Sequence, residues 1–213
     1  MSAGLFITFE GGEGGGKSTQ ARILAERLRA ADHEVVLTRE PGGSPGAEAL
    51  RNLLLEGDAD RWSPLSETLL MYAARRDHLE RTILPALTAG KVVVCDRFYD
   101  STRAYQGAAG GVDPGVIAAL EDAVVGRHAP DLTLVFDLPV ETVLARAAER
   151  GAAEARFESK GRAFHERLRA AFLEIARREP ARCVLIDADR PVEAMSDAIW
   201  TAVEASLSKA ILR

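Results

Sequence analysis

A glycine-rich stretch near the start of the chain has the spacing of a phosphate-binding loop. Residues 11–18, GGEGGGKS, match the pattern G-x-x-x-x-G-K-S/T and lie between an apolar run and a helical run. Glycines let backbone N–H groups turn towards an anion without a side-chain clash. We expect Lys17 to contact the β- and γ-phosphates of a nucleotide and the Ser18 hydroxyl to bind Mg²⁺. The residues predicted to surround the phosphates are Gly11, Gly12, Glu13, Gly14, Gly15, Gly16, Lys17, Ser18 and Thr19.

An acid and a base follow a second apolar run, in the sequence VVVCDR at residues 92–97. An aspartate at the carboxyl end of a parallel strand lies beside such a loop, so Asp96 can hold Mg²⁺ directly or through water. The planar guanidinium of Arg97 can bind two oxygens of an acceptor phosphate. The second motif therefore predicts a site for an acceptor phosphate beside the nucleotide that the loop is expected to bind.

The phosphate-binding loop by itself indicates nucleotide binding and leaves the reaction open. A GTPase should contain a base-recognition segment of the type Asn/Thr-Lys-x-Asp, and the sequence has none. Two classes remain on the motifs alone. One is a kinase for a small acceptor, and the other is an ATPase or nucleotide-binding switch without such an acceptor.

Alternating strands and helices must position these residues. Apolar runs with little alternation are typical of parallel strands that are covered on both faces. The runs are Leu5–Glu10, Glu34–Arg39, Val92–Asp96, Leu132–Asp137 and Cys183–Asp187. Segments with helical spacing lie between and after them: Ser18–Ala31, Ser66–Ala89, Asp113–Val125, Val140–Arg150, Gly161–Arg178 and Val192–Ile211. The order predicts an α/β fold with a doubly wound, five-stranded parallel sheet, in which Pro85 should kink or divide its helix.

Two stretches interrupt the alternation. Residues 41–60 are rich in Gly, Pro and acid around a short helix at Ala47–Leu55, and residues 146–160 are rich in Arg and Ala. We interpret them as an acceptor-side insertion and a lid over the sheet edge where such folds bind ligands. The length of 213 residues fits one domain, 1–213, with these small additions.

The overall composition limits the partners. A net charge of −5 argues against binding of duplex nucleic acid, which usually requires a basic surface. The sequence contains neither a signal-peptide pattern nor an apolar run long enough to cross a bilayer, so we expect a cytoplasmic protein without a membrane partner. Cys95 and Cys183 lie in apolar runs and are predicted to be buried thiols, and no Cys/His arrangement suggests a metal site.

Several motifs resemble those of the thymidylate kinase family in their order and spacing. The segments are Phe9–Thr19, Thr38–Ser44 (TREPGGS) and Asp96–Gly107 (DRFYDSTRAYQG), and Leu69–His78 and Arg146–Glu158 extend the match over nearly the whole chain. The resemblance implies transfer of the γ-phosphoryl group of ATP to dTMP, with Mg²⁺ as cofactor and dTDP and ADP as products. It also implies a homodimer. A kinase for another nucleoside monophosphate and a P-loop ATPase switch remain the alternatives.

The resemblance assigns roles on the acceptor side. Glu13 matches an acid that contacts the 3′-hydroxyl of dTMP, and Tyr105 matches an aromatic wall that disfavours a ribose 2′-hydroxyl. Thr102 and Gln106 match residues that contact the thymine edge.

Two residues, Met71 and Tyr72, are candidates for stacking on the base. Arg75 matches the arginine that contacts the base, but Met71 stands where the family usually has a stacking Phe. Either Met71 contacts the ring through its polarizable sulfur or Tyr72 takes its place. A one-residue shift would choose Tyr72 and Arg76, although the spacing to later residues favours Met71 and Arg75.

The lid is expected to supply positive charge to the reaction. Some family members carry a basic residue within the phosphate-binding loop, where this chain has Gly14, and the others use arginines of the lid. Arg150 and Arg156 fit the second arrangement, although Ala155 replaces an acid that often precedes the second arginine. The catalytic residues predicted to neutralise charge are Lys17, Arg97, Arg150 and Arg156.

Overall fold

The computed structural model describes residues 4–56, 61–150 and 161–211. In these residues five parallel strands form one sheet in the order β2-β3-β1-β4-β5. The strands are β1 Leu5–Gly11, β2 Val35–Arg39, β3 Val92–Asp96, β4 Leu132–Asp137 and β5 Cys183–Asp187. The predicted five-stranded parallel sheet is confirmed, with strand ends within one residue of the prediction.

Helices cover both faces of the sheet. They are α1 Lys17–Ala30, α2 Pro45–Leu55, α3 Pro64–His78, α4 Leu84–Thr88, α5 Tyr99–Thr102, α6 Pro114–Val124, α7 Val140–Arg150, α8 Arg162–Arg178 and α9 Val192–Ile211. Successive residues of a strand point to opposite faces. Ile7 therefore packs with Leu24 of α1 and Ile199 of α9, whereas Phe6 packs with Ile83 and Phe98 on the other side. No helix in the described ranges is long and apolar enough to cross a membrane.

The predicted helix over 66–89 is divided. A π-helical turn, Leu79–Ile83, separates α3 from α4, and Pro85 lies in the first turn of α4. Proline has no amide hydrogen, and its ring crowds the carbonyl four residues earlier in a regular α-helix. The wider turn directly before Pro85 avoids this conflict.

A helical segment that the sequence patterns did not predict follows β3. Helix α5 continues into a π-helix, Arg103–Ala109, and the pair carries Thr102, Tyr105 and Gln106 as buried residues. The segment lacks the period of 3.6 residues that identifies an amphipathic α-helix, because its second half is wound more widely. Tyr105 packs edge-on against Phe164 and Phe172 of α8, which fixes the segment against the rest of the fold.

The sheet brings the two predicted motifs to one edge. In the parallel register Phe9 lies opposite Asp96, and Gly11 lies opposite Phe136. The carboxyl ends of β1, β3 and β4 therefore meet where ligands of open α/β sheets bind. Residues 57–60 of the predicted insertion and residues 151–160 of the predicted lid lie outside the described ranges.

Candidate active site

The phosphate-binding loop joins β1 to α1. Gly11, Gly14 and Gly16 have φ values of 130°, 76° and 82°, which favour glycine. A Cβ atom on Gly11 would also lie 2.5 Å from the carbonyl oxygen of Phe136. Helix α1 begins at Lys17, so its first N–H groups face the loop where an anion would bind.

The side chain of Lys17 lies against the loop that precedes it. Its Nζ donates a hydrogen bond to the carbonyl oxygen of Gly12 at 2.5 Å, and the side chain is buried. Burial and the nearby charge of Arg97 lower the pKa of Lys17 to about 8, although Glu13, Asp96 and Glu10 oppose this shift. A bound phosphate would add negative charge beside the ammonium group and favour its protonated form.

Ser18 and Asp96 meet between α1 and β3. The Ser18 hydroxyl donates to Oδ2 of Asp96 in a short hydrogen bond, and Oδ1 of Asp96 is buried without a partner in the described part of the chain. Mg²⁺ prefers oxygen ligands, keeps several waters and is usually bound by one or two protein groups together with phosphates. A hydroxyl beside a carboxylate with an unused oxygen fits that ion. Among the described residues, no group of three or more His, Cys, Asp or Glu is arranged so that it could hold a metal ion.

Arg97 links the phosphate-binding loop to the π-helix. Its Nη1 donates to the carbonyl oxygen of Gly11 at 2.9 Å and to Ser101 at 3.2 Å, while its Nη2 donates to Glu13 at 2.9 Å and to Tyr105 at 3.1 Å. Its backbone has a φ of 70°, a conformation that is strained for a non-glycine residue. The fold thus holds this guanidinium between the loop and the predicted acceptor residues.

Glu13 is held as an anion by its neighbours. Its Oε1 accepts hydrogen bonds from Arg97 and, at 2.8 Å, from the hydroxyl of Tyr105. Burial opposes ionisation, but the charges of Arg97 and Lys17 outweigh it and lower the pKa of Glu13 to about 2. Burial raises the pKa of Tyr105 well above its ordinary value, so this hydroxyl keeps its proton.

Glu10 is a buried acid that the sequence analysis did not identify. Its Oε1 accepts from the backbone N–H groups of Phe98 at 2.8 Å and Ser101 at 3.2 Å, and its Oε2 accepts from the Ser101 hydroxyl at 2.6 Å. Burial and the nearby charge of Asp100 raise the pKa of Glu10 to about 7. The feature of the sequence that could have identified Glu10 is an acid at the end of an otherwise apolar strand.

A second cluster lies at the base side of the predicted acceptor site. Arg75 of α3 donates to the Thr102 hydroxyl from Nη1 and Nη2, both at 3.2 Å, and to the carbonyl oxygen of Phe98 at 3.1 Å. Gln106 donates to Glu67 at 2.7 Å. The three residues predicted to contact the base, Arg75, Thr102 and Gln106, come from two distant segments and are all buried.

The two alternatives for the base-stacking position differ in their surroundings. Tyr72 is buried with its hydroxyl 3.5 Å from the carbonyl oxygen of Ile117, whereas Met71 is half-buried. Arg76 is exposed and pairs with Glu80 on the surface of the helix. The geometry therefore favours Met71 and Arg75 over a shift by one residue.

Two arginines near the acceptor side were not identified from the sequence. Arg51 of α2 donates to the carbonyl oxygen of Pro41 at 2.6 Å, and Arg39 pairs with Glu48 at 3.2 Å. Burial and the neighbouring charge of Arg39 lower the pKa of Arg51, while the charges of Glu48 and Asp96 partly oppose this. Nothing in the local sequence of α2 indicated that Arg51 would bond to Pro41, because this contact depends on how the insertion folds back.

The lid arginines that the sequence analysis named are not described. The side chain of Arg150 and the whole of Arg156 lie outside the described residues. Arg146, one turn before Arg150, donates from Nη1 to the carbonyl oxygen of Gly14 at 2.7 Å, and its Nη2 lies 3.8 Å from Asp189. The start of the lid is thus attached to the phosphate-binding loop.

Comparison with known proteins agrees with this arrangement. The family model described as Thymidylate kinase matches residues 9–199. The thymidylate kinase of Caulobacter vibrioides is 67% identical over 93% of this chain and 95% of its own, and that of Ruegeria pomeroyi is 58% identical over 91% of both. A crystal structure of thymidylate kinase from Ehrlichia chaffeensis has a TM-score of 0.75 at 36% identity and covers 95% of this chain and 99% of its own. The chain therefore belongs to the thymidylate kinase family.

Proposed function

We propose that the chain transfers the γ-phosphoryl group of ATP to the 5′-phosphate of dTMP and releases dTDP and ADP. The observation that carries this proposal is the position of Arg97. It contacts the phosphate-binding loop through Gly11 and Glu13, and it contacts the segment that carries the base-side residues through Tyr105. One guanidinium thus spans the donor and acceptor sides.

The donor phosphates bind in the loop of residues 11–19, with Lys17 at the β- and γ-phosphates. Ser18 and Asp96 would hold Mg²⁺, and the bound ion would neutralise charge on the phosphate oxygens. Asp96 already orients the Ser18 hydroxyl.

The acceptor phosphate competes with protein groups for Arg97. Both terminal nitrogens of Arg97 already donate to two acceptors each, so a bound phosphate must replace some of them. Of these acceptors, Glu13 is the anion. When the phosphate replaces Glu13 at Arg97, the Glu13 carboxylate is free to contact the 3′-hydroxyl of dTMP. No general base is needed, because the acceptor phosphate is already an anion. Arg39 and Arg51 add positive charge on this side.

The base and sugar bind over the α3 and π-helix residues. Arg75, Thr102 and Gln106 contact the thymine edge, Met71 covers its face, and Tyr105 forms the wall beside C2′. The hydrogen bonds of Arg75 to Thr102 and of Gln106 to Glu67, and the burial of these side chains, support this placement, since a buried polar cluster presents its remaining hydrogen-bonding groups in a fixed direction.

Charge on the transferring group is neutralised by Arg97 together with Arg150 and Arg156 of the lid. Closure of the lid excludes water, which would otherwise accept the phosphoryl group. The contact between Arg146 and Gly14 supports this role, because it joins the start of the lid to the loop that is proposed to bind the phosphates.

A homodimer is the quaternary structure that we propose. Exposed apolar side chains lie on α3 and on the two helices that pack against it, α2 and α6: Leu53, Leu55, Leu65, Leu69 and Val116. A second copy could cover this face in a two-fold arrangement. Light scattering during gel filtration should give about twice the monomer mass, and Leu69→Glu should reduce it. We place the enzyme in the cytoplasm, without nucleic-acid or membrane partners, in agreement with its net charge of −5.

The decisive assay for the activity is ADP release with a panel of acceptors. With Mg-ATP, dTMP should stimulate turnover far more than dUMP, dCMP, dGMP or AMP. Preference for another nucleotide would favour a different nucleoside monophosphate kinase. Turnover that needs no acceptor would favour an ATPase switch.

A further inference from the structure

A buried histidine lies at the centre of a hydrogen-bonded chain behind the base-side residues. His78, at the end of α3, is completely buried. Its Nε2 lies 2.7 Å from the Thr38 hydroxyl, and its Nδ1 lies 3.0 Å from Oε1 of Glu40. The other oxygen of Glu40, Oε2, accepts from Nε of Arg75 at 2.7 Å. The chain therefore runs from Thr38 through His78 and Glu40 to Arg75.

This chain determines where Arg75 can point. A guanidinium has five N–H groups. Four of those of Arg75 are used by Glu40, Phe98 and Thr102. Among the described residues, the remaining N–H, on Nη1, has no acceptor. The direction of that single donor is fixed by Glu40 together with Phe98 and Thr102, and Glu40 is in turn bonded to His78.

A second observation shows that the surrounding loop is built around the histidine. Gly43 has a φ of 88°, and a Cβ atom there would lie 2.4 Å from Nε2 of His78 and 2.4 Å from Oγ1 of Thr38. The backbone of the loop therefore packs directly on the pair of Thr38 and His78. Three positions of the segment TREPGGS, namely Thr38, Glu40 and Gly43, meet one side chain from another element.

We infer that His78 is a positioning residue for acceptor specificity. It orients Glu40, and through it the one available N–H of Arg75, towards the edge of the pyrimidine base. The inference rests on the proposed function, in which Arg75 contacts that edge. A hydrogen-bond donor suits the 4-carbonyl oxygen of thymine and opposes the 4-amino group of cytosine, so the chain would contribute to the choice of dTMP over dCMP.

Three substitutions at two positions test the chain at different links. Thr38→Val removes the hydroxyl and keeps the shape, so Nε2 of His78 loses its partner. His78→Leu removes both hydrogen bonds, whereas His78→Asn retains a donor for Glu40 near the position of Nδ1. We expect the Kd of dTMP, measured by calorimetry without ATP, to rise about 10-fold in His78→Leu, in keeping with a weakened hydrogen bond to a charged group. The rise should be smaller in Thr38→Val and His78→Asn.

The matched control is Thr82→Val. The Thr82 hydroxyl donates to the carbonyl oxygen of Gly43 at 2.7 Å, so it anchors the same loop, and among the described contacts it has no hydrogen bond to His78. Thr82→Val should lower the melting temperature and leave the Kd of dTMP within about twofold, because the hydrogen bonds from Thr38 through His78 and Glu40 to Arg75 stay intact. In all four variants the Kd of Mg-ATP should stay unchanged, and the kcat/KM ratio of dTMP to dCMP should fall only in the Thr38 and His78 variants.

The outcomes separate the inference from the proposed function. If wild-type protein shows no turnover with dTMP, the proposed function fails. If wild-type protein is active but Thr38→Val and His78→Asn lower only stability, with dTMP affinity and the dTMP/dCMP ratio unchanged, His78 has a purely structural role and the inference is wrong. Should His78→Leu fail to fold, Thr38→Val and His78→Asn decide the question.

Discussion

Replacement of Arg97 by lysine tests the link between donor and acceptor without changing the net charge. Each terminal nitrogen of Arg97 donates to two acceptors in the substrate-free protein, on opposite sides of the site. A lysine ammonium can occupy the position of only one of these nitrogens, and it lacks the planar fork that binds two phosphate oxygens. The strained backbone with φ of 70° is equally unfavourable for lysine, so the substitution isolates the head group.

The expected magnitude follows from the contacts that a lysine cannot make. A hydrogen bond to a charged group contributes about 1.5–3 kcal/mol, which corresponds to a factor of about 10 to 10² in rate. We therefore expect Arg97→Lys to lower kcat/KM for dTMP by about 10²-fold. The Kd of Mg-ATP should change by less than about threefold, because Lys17 and Ser18 hold the donor.

The assay combines calorimetry of ATP binding with ADP release that depends on dTMP. Arg177→Lys is the matched control, since Arg177 is exposed and pairs only with Glu174 on its own helix among the described contacts. Loss of ATP binding with intact acceptor kinetics would assign Arg97 to the donor site. Unchanged kinetics in Arg97→Lys would refute the argument that one guanidinium spans both sites.

Four further substitutions test other parts of the site. Tyr105→Ala should raise activity on the ribonucleotide analogue of dTMP relative to dTMP; an unaltered ratio in a folded variant would remove Tyr105 from the sugar wall. Arg150→Ala and Arg156→Ala should each lower kcat, by up to about 10³-fold, with a smaller effect on ATP affinity, and normal kcat in both would exclude the lid from the chemistry. Burial and Asp100 raise the pKa of Glu10 from its ordinary 4.5 to about 7, so the folded state binds more protons than the unfolded state between these values and stability falls as pH rises through them. Denaturant unfolding at pH 5 and pH 8 should show a smaller loss of stability in Glu10→Gln than in wild type, and equal losses would contradict the assignment.

The sheet and the phosphate-binding loop could be predicted because their signals are local. Central strands of a parallel sheet are buried on both faces, so β1 is apolar at nearly every position and stands out as a run. The loop residues Gly11 to Ser18 are contiguous, and their mechanism depends on backbone N–H groups that follow one another in the chain. Asp96 and Arg97 could be predicted for the same reason, since the end of a strand places them at the ligand edge.

Contacts between distant segments could not be predicted in this way. Glu40, Arg75 and His78 are unremarkable as separate residues, and only the packing of the loop on α3 makes them one hydrogen-bonded chain. The hydrogen bond from Arg51 to Pro41 likewise depends on the folding of the insertion.

The amino-acid sequence by itself determined the strands, the phosphate-binding loop and the family to which the chain belongs. Tertiary structure decided which buried polar groups share hydrogen bonds, how the helix containing Pro85 is divided, and that a π-helix carries Tyr105 and Gln106. The physical reason is that local patterns record which residues must be buried. The partners of a buried polar side chain are chosen by the relative positions of whole elements, and those positions arise only when the elements pack together.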